Sequence, residues 1–425
     1  MFRFLYTMAM YFAQPLLILF MLLRSIKSPN YRKRLAERYG FYGILTPPKP
    51  NGIIIHAASV GEVIAATLLV HKIRENYPDL PITMTTVTPT GSDRVKAAFG
   101  DSVTHVYLPY DLPYSLQRFI RFVQPKACIV IETEIWPNLI RQLHNRHIPF
   151  IVANARLSAR STKRYALVKS KFKNILNDIA LIAPQDDISG QRYLSLGYDP
   201  TRLQLTGNIK YDLVLSDGLL KNIRTLYDQW SAGRPVWIAA STHEGEESIV
   251  LEAHRMLLEK YPNLLLILVP RHPERFNAVA ELINKTGLSY IRRSQQIPPS
   301  PQTQVALGDT MGELMKLYGI ANIAFVGGSL VKHGGHNPLE PLAFKLPVIS
   351  GKYTFNFPEV FTKLVEVQGV VIVNETAQDL AHSVDNLLSH YNTRIAYGEA
   401  GYEVLVENRG ALDRLLNLLK PYLEK

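Results

Sequence analysis

Three carboxylates in the first half of the chain occupy positions from which a general base could act. Glu62 ends the segment H-A-A-S-V-G-E (56–62), which joins an apolar run to a helical pattern, so its carboxylate is expected to open that helix and point into a cleft. Glu132 and Glu134 follow the apolar run Cys128–Ile131, and their spacing places both on one side of a strand. A carboxylate in such a place takes the proton of an attacking hydroxyl.

Structural roles for the same three carboxylates stay open at the level of sequence. An acid in the first turn of a helix is ordinarily stabilising, which would account for Glu62 without catalysis. Glu132 and Glu134 could equally bind sugar hydroxyls, orient a base or cap the helix that follows them.

Hydroxyls and a cation follow two apolar strands of the second half. Ser241 and Thr242 lie between a strand and a helix, where hydroxyls and first-turn amides bind an anion. Arg271 comes just beyond the next strand, and a guanidinium there holds a phosphate or carboxylate through two parallel hydrogen bonds. In the first half, Arg156 offers a further cation to an anionic ligand, although a solvated basic loop is the plainer alternative.

Two glycine-containing loops complete this set. The segment G-D-T-M-G-E-L (308–314) is a strand-to-helix turn whose free backbone groups suit the edge of a flat base. In G-G-H-N-P-L-E (334–340), Pro338 suits the first position of a helix whose N-terminus would meet a phosphate. Glu340 could then accept hydrogen bonds from both hydroxyls of a ribose. Several such loops on one edge of one half favour a nucleotide site.

Motifs that would indicate other chemistry are missing from the sequence. It contains no G-x-G-x-x-G after a strand, no G-x-x-x-x-G-K-[ST] and no Asp-x-Asp, so dinucleotide, P-loop and metal-diphosphate signatures are lacking. His333 and His336 flank two glycines, a spacing typical of an anion loop and not of a helical metal site. Cys128 is the only cysteine, which excludes a disulfide framework or a cysteine-built zinc site. We therefore expect neither a cofactor nor a metal.

The elements that must position these residues form an alternating pattern. Uninterrupted apolar runs between helical segments are typical of parallel strands that are covered on both faces. In the first half the predicted strands are Ile53–His56, Ile82–Val87, Val103–Leu108, Ala127–Ile131 and Phe150–Ala153. In the second half they are Val236–Ala240, Leu264–Val269, Tyr290–Ile291, Gln304–Leu307, Ile323–Val326 and Pro347–Ile349. The pattern predicts an α/β protein with two doubly wound, Rossmann-like domains facing a cleft.

The N-terminus has the composition of a membrane anchor. Phe4–Leu23 contains no charged residue and is about long enough to cross a hydrocarbon core. No small-residue cleavage site follows it, as a signal peptide would require. Gln14 and Pro15 weaken a straight spanning helix, so an interfacial or re-entrant anchor and a buried core helix are the alternatives. A basic cluster at 24–38 follows the run and, by positive-inside logic, leaves the body in the cytoplasm.

The formal net charge of +11 does not by itself select a partner. A non-catalytic adaptor that binds acidic lipid or nucleic acid is the alternative from another functional class. Aromatic residues are not interleaved with the basic ones as in single-strand binders, and carboxylates at a cleft oppose a polyanion. We therefore expect no nucleic-acid partner.

Seven motifs, in this order, resemble those of the bacterial 3-deoxy-D-manno-octulosonic acid (Kdo) transferases of lipopolysaccharide synthesis. They are H-A-A-S-V-G-E (56–62), E-T-E-I-W-P-N (132–138), N-A-R-L-S (154–158), S-T-H-E-G-E-E (241–247), P-R-H-P-E-R (270–275), G-D-T-M-G-E-L (308–314) and G-G-H-N-P-L-E-P (334–341). The resemblance extends from the N-terminal anchor to about residue 420. It implies a GT-B fold, CMP-Kdo as donor, a lipid A precursor as acceptor, an inner-membrane location and no metal.

The resemblance also implies roles for individual residues. Glu62 matches the catalytic base, and Arg271, Asn337 and Glu340 match positions around the phosphate and ribose. By the same resemblance, the expected donor-binding residues are Ser241, Thr242, Arg271, His272, Met311, Gly312, Glu313, Asn337 and Glu340. Ser59, Gly61, Glu132, Glu134 and Arg156 are expected to bind the acceptor or support the base. Another GT-B transferase or an epimerase that uses a UDP-sugar is the nearest enzymatic alternative.

These patterns divide the chain into five segments. We expect an anchor at 1–27, an acceptor-binding domain at 28–207 and a linker with a helix at 208–233. A CMP-Kdo-binding domain would follow at 234–390, and C-terminal helices that cross back to the first domain at 391–425.

Overall fold

The computed structural model describes residues 2–43, 45–231 and 233–424, which form two compact units. Unit 1 comprises residues 1–212 and 409–425, and unit 2 comprises residues 213–408. Each unit contains its own parallel sheet covered by helices on both faces, so the chain has the two Rossmann-like domains of a GT-B fold.

In the described part of unit 1, six strands pair in the order β3-β2-β1-β4-β5-β6. Their bounds are β1 Gly52–His56, β2 Ile82–Thr86, β3 Thr104–Tyr107, β4 Pro125–Ile131, β5 Phe150–Ala155 and β6 Leu181–Pro184. The helices are α1 Phe2–Phe12, α2 Gln14–Lys27, α3 Val60–Asn76, α4 Pro89–Phe99, α5 Pro113–Val123, α6 Pro137–His144, α7 Ala159–Ala166, α8 Lys169–Leu176 and α9 Asp187–Ser195. The order reverses between β1 and β4, and in such sheets ligands bind outside the carboxyl ends of the strands.

In the described part of unit 2, seven strands pair in the order β13-β12-β11-β7-β8-β10-β9. Their bounds are β7 Val236–Thr242, β8 Leu265–Pro270, β9 Tyr290–Arg292, β10 Val305–Leu307, β11 Ile323–Val326, β12 Val348–Gly351 and β13 Val370–Val373. The helices are α10 Asp217–Trp230, α11 Glu246–Lys260, α12 Phe276–Thr286, α13 Leu314–Tyr318, α14 Leu339–Leu342, α15 Pro358–Glu366, α16 Ala377–Ser389 and α17 Tyr391–Glu407; α18 Ala411–Leu423 returns to unit 1.

Alternate residues of the central strands enter two separate cores. Ile53 and Ile55 of β1 belong to a core with α3 and α18, whereas Ile54 belongs to the core on the opposite face. In unit 2, Trp237 and Ile238 divide in the same way. This burial on both faces explains why the strands read as continuous apolar runs, since successive side chains point to opposite sides of the sheet.

The C-terminal segment differs from the expected boundaries. Helix α17 packs against α14, α15 and α16 of unit 2, so residues 391–407 do not leave that unit. Only α18 crosses back, where it packs on α3 and β4. Asp212 accepts hydrogen bonds from the backbone N–H groups of Gly410 (2.5 Å) and Leu412 (2.6 Å), which fixes the start of α18. The predicted linker at 208–233 likewise divides between the units, because α10 lies in unit 2.

The uncharged N-terminal run forms two helices and not one. Among the described residues, no single helix is long and apolar enough to cross a bilayer. The bent pair Arg3–Phe12 and Gln14–Ile26 together has the length and composition for crossing, and only these two criteria support it. The helices meet at 46°, with Pro15 in the first turn of the second. Large apolar side chains are exposed along both, including Phe12, Leu16 and Ile26 at 75%, 68% and 72%. These exposures contradict the alternative of a buried N-terminal core helix.

Candidate active site and donor-binding loops

Glu62 lies in the first turn of α3, just beyond the carboxyl end of β1. Ser59 is the N-cap of the helix, and its hydroxyl donates to Glu62 Oε1 over 2.9 Å. The backbone N–H of Ala58 donates to Oε2 over 2.8 Å. The carboxylate is thus held in one orientation, and the capping role considered from the sequence is present as well.

The surroundings of Glu62 bring its pKa to about 7. Burial is the largest cause, and the charge of Glu132 adds to it, with a smaller addition from Glu134. The hydrogen bonds from Ala58 and Ser59 oppose the rise without cancelling it. A carboxyl that titrates near neutral pH is ionised for part of the population and basic enough to accept a proton, the combination that a general base requires.

Glu132 and Glu134 approach Glu62 for a reason other than strand periodicity. Strand β4 ends at Ile131, and Glu132 takes a left-handed conformation with φ of 64°, so the alternation expected for a continuing strand does not apply. Both carboxylates nevertheless interact electrostatically with Glu62. A non-glycine residue at positive φ is uncommon and costs free energy, and such positions concentrate at functional sites.

Lys210 belongs to this cluster, although no motif in the sequence indicated it. Its Nζ lies 2.6 Å from Glu132 Oε1, and both side chains are largely buried. The neighbouring Ile209 N–H donates to Asn154 Oδ1 over 3.0 Å, which ties the segment to the end of β5. Lys210 lies in the segment that was predicted to be a linker, so only the folded structure identifies it as a partner of Glu132.

His56 is a second residue that the sequence did not single out as functional. It is fully buried at the end of β1, where Nδ1 lies 2.9 Å from the hydroxyl of Thr85. Its Nε2 makes no hydrogen bond to a described residue and lies 3.9 Å from Glu134 Oε2. The ring therefore presents one polar atom toward the carboxylates.

Gly61 and Arg156 were both predicted to bind the acceptor or support the base. Gly61 lies within α3 and is not among the glycines at positive φ. A Cβ there would meet only Ser59 Oγ at 3.9 Å, so the glycine leaves open space beside Glu62. The backbone oxygen of Arg156 accepts from the Thr133 hydroxyl at 2.6 Å, which joins the loops after β4 and β5.

In unit 2, Arg271 is a half-buried cation without a counter-anion in contact. Its backbone N–H donates to the Thr242 carbonyl over 3.0 Å, but its guanidinium makes no hydrogen bond or ion pair with any residue that the structure describes. Burial lowers the pKa of the group, and Glu340 opposes that effect. A guanidinium keeps its charge in proteins, so its unused donors favour an anionic ligand.

Four histidines lie next to Arg271. The rings of His243 and His336 are stacked with centroids 5.0 Å apart, and their Nε2 atoms are 2.8 Å apart. His333 stacks on His243 at 4.1 Å, and His272 meets it edge-on at 5.4 Å. Burial lowers the pKa of His243 to about 4 and of His336 to about 3, so both rings are neutral at pH 7.

Neutral imidazoles offer N–H donors to a ligand without adding charge. Within residues 2–43, 45–231 and 233–424, no group of three or more His, Cys, Asp or Glu side chains is arranged to hold a metal ion.

The loop after β7 differs from the anion site expected at the start of α11. Glu246 is fully buried, and its carboxylate accepts from the backbone N–H groups of His243 (2.8 Å), Gly328 (2.7 Å), Ser329 (3.0 Å) and Leu330 (2.9 Å). The buried Thr242 hydroxyl donates to Glu247 (3.1 Å). The Thr242 hydroxyl and the backbone N–H of His243 are thus bound to carboxylates of α11, and the neighbouring Ser241 has φ of 58°.

The glycine loop before α14 brings Asn337 and Glu340 together. Asn337 Nδ2 donates to Glu340 Oε1 over 3.4 Å, and Glu340 interacts electrostatically with Arg271. Helix α14 is a single turn of 4 residues, with Pro338 at its N-cap and not at its first helical position. So short a helix has little dipole, which weakens the reason for expecting a phosphate at its N-terminus.

In the loop between β10 and α13, neighbouring side chains hold the carboxylate of Glu313. Arg293 binds both of its carboxylate oxygens at 3.0 Å, the Thr310 hydroxyl adds a bond of 2.6 Å, and the pKa of Glu313 falls to about 2. Gly312 has φ of 82°, and Met311 is exposed. An open pocket of about 530 Å³ lies beside Glu313. It is lined by Arg293, Ser294, Gln296, Thr310 and Glu313. Glu313 therefore holds the loop and also lines the pocket, and its contact with a ligand stays a prediction.

Comparison with known proteins places both units in described families. The family model "3-Deoxy-D-manno-octulosonic-acid transferase (kdotransferase)" matches residues 33–213, and "Glycosyl transferases group 1" matches residues 233–404. A 3-deoxy-D-manno-octulosonic acid transferase of Haemophilus influenzae is 64% identical over 100% of both chains. One from Bordetella pertussis is 32% identical over 98% of this chain and 99% of its own.

A solved structure shares the fold at low identity. It is a putative UDP-N-acetylglucosamine 2-epimerase from Listeria monocytogenes, with a TM-score of 0.60 and 13% identity. The alignment covers 88% of this chain and 97% of that one. At this identity the likeness concerns the fold alone.

Proposed function

Because the chain belongs to the Kdo transferases, a glycosyltransferase family, we propose that it transfers Kdo from CMP-Kdo to the lipid A precursor lipid IVA. The reaction would take place at the cytoplasmic face of the inner membrane, as an early step of lipopolysaccharide core synthesis, with inversion and without a metal. The observation that carries the proposal is Glu62, a fixed carboxyl whose pKa is about 7 because it is buried beside two further carboxylates.

In the proposed mechanism, Glu62 accepts the proton of the attacking acceptor hydroxyl. Its contacts with Ala58 and Ser59 fix the orientation of the carboxylate, so the free lone pairs keep one direction. Lys210 forms an ion pair with the neighbouring Glu132. Direct displacement of the CMP phosphate by that hydroxyl would invert the anomeric centre.

The donor would be held by unit 2. CMP is a good leaving group, so its phosphate needs charge stabilisation more than a general acid, and Arg271 has unused donors for it. Neutral N–H groups of the histidine cluster, including His272, would surround the same anion. Asn337 and Glu340 would bind the ribose, while Ser241 and the backbone at Met311 and Gly312 would line the nucleotide.

The direct test is product analysis by mass spectrometry. Purified protein would be incubated with CMP-Kdo and a tetra-acylated disaccharide acceptor, and in parallel with UDP-sugars. Addition of Kdo to the acceptor from CMP-Kdo alone supports the proposal. Turnover of a UDP-sugar in place of CMP-Kdo would contradict it. If neither CMP nor UMP raised the melting temperature of the protein, the non-catalytic adaptor would be favoured.

The pH dependence provides a test of the base. Transfer requires ionised Glu62, so kcat/KM should be lost as pH falls through about 7 and approach a plateau above it. Replacing Glu132 by Gln removes a charge that raises this pKa, so the midpoint should move to lower pH. Arg255→Gln, at an exposed position in unit 2, serves as the control and should leave the midpoint unchanged. An unshifted midpoint in Glu132→Gln would contradict this account of the electrostatics.

Membrane association can be tested at the bent helix pair. Removing residues 1–23 should release the protein from tight membrane binding, because the exposed apolar surface of α1 and α2 is deleted. The basic residues that remain would retain weak, salt-sensitive binding of about 1 kcal/mol per residue. The measurement is the pelleted fraction with membranes at low and high salt.

A substituted full-length chain separates lost apolar surface from lost folding. Phe12→Ser, Leu16→Ser and Ile26→Ser together keep both helices and remove three of their most exposed apolar side chains. This variant should pellet less than the parent at high salt and melt at nearly the same temperature. Full retention of either variant in the pellet at high salt would refute the assignment.

A further inference from the structure

The helical hairpin α7–α8 carries a strong and unbalanced positive charge. Between residues 160 and 173 the chain has six basic residues and no acid, and all six are exposed. They are Arg160, Lys163, Arg164, Lys169, Lys171 and Lys173. None of them forms an ion pair with a residue in the described part of the chain. A solvated helix ordinarily mixes both signs, so this hairpin is suited to an anionic surface.

An apolar residue stands at the tip of the same hairpin. Leu167, in the turn between the two helices, is 86% exposed. The side of the turn that faces the core of unit 1 is packed. Tyr165 stacks on Phe172 with ring centroids 4.1 Å apart, and Val168 packs against the core. Leu167 is thus exposed in a turn that the partly buried Tyr165 and Val168 hold against the core.

The hairpin is continuous with the apolar N-terminal helices of the same unit. Arg3 of α1 pairs with Asp178, two residues after α8. Helix α6 packs against both α1 and α8, and Tyr165 of α7 interacts electrostatically with Tyr6 of α1. Tyr165 also interacts electrostatically with Glu134 of the carboxylate cluster.

We propose that the α7–α8 hairpin is a second membrane contact, in which Leu167 enters the bilayer and the six basic residues bind lipid phosphates. An apolar tip ringed by Lys and Arg matches an anionic lipid surface, because acyl chains take the apolar group and phosphates take the cations. The inference rests on the membrane association proposed above, and it adds an independent docking point beside the carboxylates.

Site-specific labelling of the full-length chain tests this contact. Cys128 is the only cysteine and is fully buried, so Leu167→Cys provides one reactive thiol for an environment-sensitive fluorophore. Phe12→Cys marks the N-terminal helices, and Val214→Cys, 76% exposed in unit 2, is the control for exposure. Each protein is mixed with phosphatidylcholine vesicles or with vesicles that also contain phosphatidylglycerol. Nitroxide-bearing lipids in the vesicles report contact by quenching.

The expected pattern distinguishes the three positions. The label at Phe12→Cys should be quenched in both kinds of vesicle, and the label at Val214→Cys in neither. The label at Leu167→Cys should be quenched when phosphatidylglycerol is present, and high salt should reverse that quenching. Inorganic phosphate without vesicles should leave its emission unchanged.

Charge removal tests the role of the lysines. Lys169→Gln, Lys171→Gln and Lys173→Gln, introduced together with Leu167→Cys, should weaken docking of the hairpin about 100-fold, since each basic residue contributes about fivefold at an anionic surface. The matched control removes three charges from unit 2 through Lys221→Gln, Arg224→Gln and Lys285→Gln, and should keep the quenching.

Three other results would overturn the proposal in different ways. Quenching at Phe12→Cys without quenching at Leu167→Cys would remove the hairpin contact and leave the membrane association intact. Absence of quenching at both positions would refute the membrane association itself. A response of the Leu167→Cys label to inorganic phosphate alone would assign the hairpin to soluble anions and contradict a membrane contact.

Discussion

Glu62→Gln should reduce the rate of Kdo transfer by about 10²–10⁴-fold, the usual contribution of a general base. The amide keeps the shape of the side chain and removes only its capacity to take a proton. It also retains an oxygen that can accept from Ala58 or Ser59, so the start of α3 should stay formed. CMP affinity should hardly change, because the proposed donor site belongs to the other unit. Turnover, CMP affinity and melting temperature are measured on one preparation.

The capping contacts of Glu62 define the competing outcome. If the carboxylate only stabilised the helix, its replacement would lower the free energy of unfolding by about 0.3–1 kcal/mol and leave turnover of the folded protein near normal. Ser59→Ala is the matched control, because it removes the N-cap hydroxyl and keeps the carboxylate. Near-normal turnover in Glu62→Gln would transfer the base to Glu132 or Glu134.

Arg271→Ala should weaken donor binding by about one to two decades and affect acceptor binding far less. A charge-assisted hydrogen bond contributes about 1.5–3 kcal/mol, which corresponds to that range of affinity. The guanidinium makes no hydrogen bond or ion pair with a described residue and interacts only electrostatically with Glu340, so the fold should tolerate the change. CMP affinity by calorimetry and KM for each substrate provide the measurement.

Two further variants sharpen the test of Arg271. Arg271→Lys keeps the charge and loses the paired donors, so its affinity should fall between those of the parent and the alanine variant. Arg255→Ala removes an exposed arginine of the same unit, one that pairs with Glu252, and should leave donor affinity unchanged. Parent-like CMP affinity in Arg271→Ala would move the phosphate site away from this loop.

The sequence predicted most of the fold because buried parallel strands produce apolar runs. Every predicted strand is present, with bounds that differ by a few residues. Strands β6 and β13 were not predicted, and both are four-residue strands at sheet edges. Short apolar runs of this kind do not differ from helix segments in periodicity. The path of the C-terminus was only partly foreseen, since which unit a helix joins depends on tertiary contacts.

For the site, the sequence indicated residues at strand ends but not their partners. Glu62 and Arg271 stand directly after strands, and topology alone brings such positions to the carboxyl edge of a sheet. Lys210 comes 78 residues after Glu132, in a segment without a strand, so no local pattern signals their pairing. Thr242 and Glu313, both predicted to contact a ligand, also bind neighbouring side chains that the sequence did not indicate. Local sequence shows a polar group without showing which neighbour satisfies it.

The buried carboxylate of Glu246 affects how the donor site is assembled. It fixes the backbone from Gly328 to Leu330 from within, and this backbone leads into the loop that carries His333 and Asn337. The glycine-rich loop is therefore ordered by a group of the protein itself, before any nucleotide arrives. Ordering a loop on binding would consume part of the interaction free energy in each catalytic cycle. Here that conformational entropy is lost once, when the chain folds.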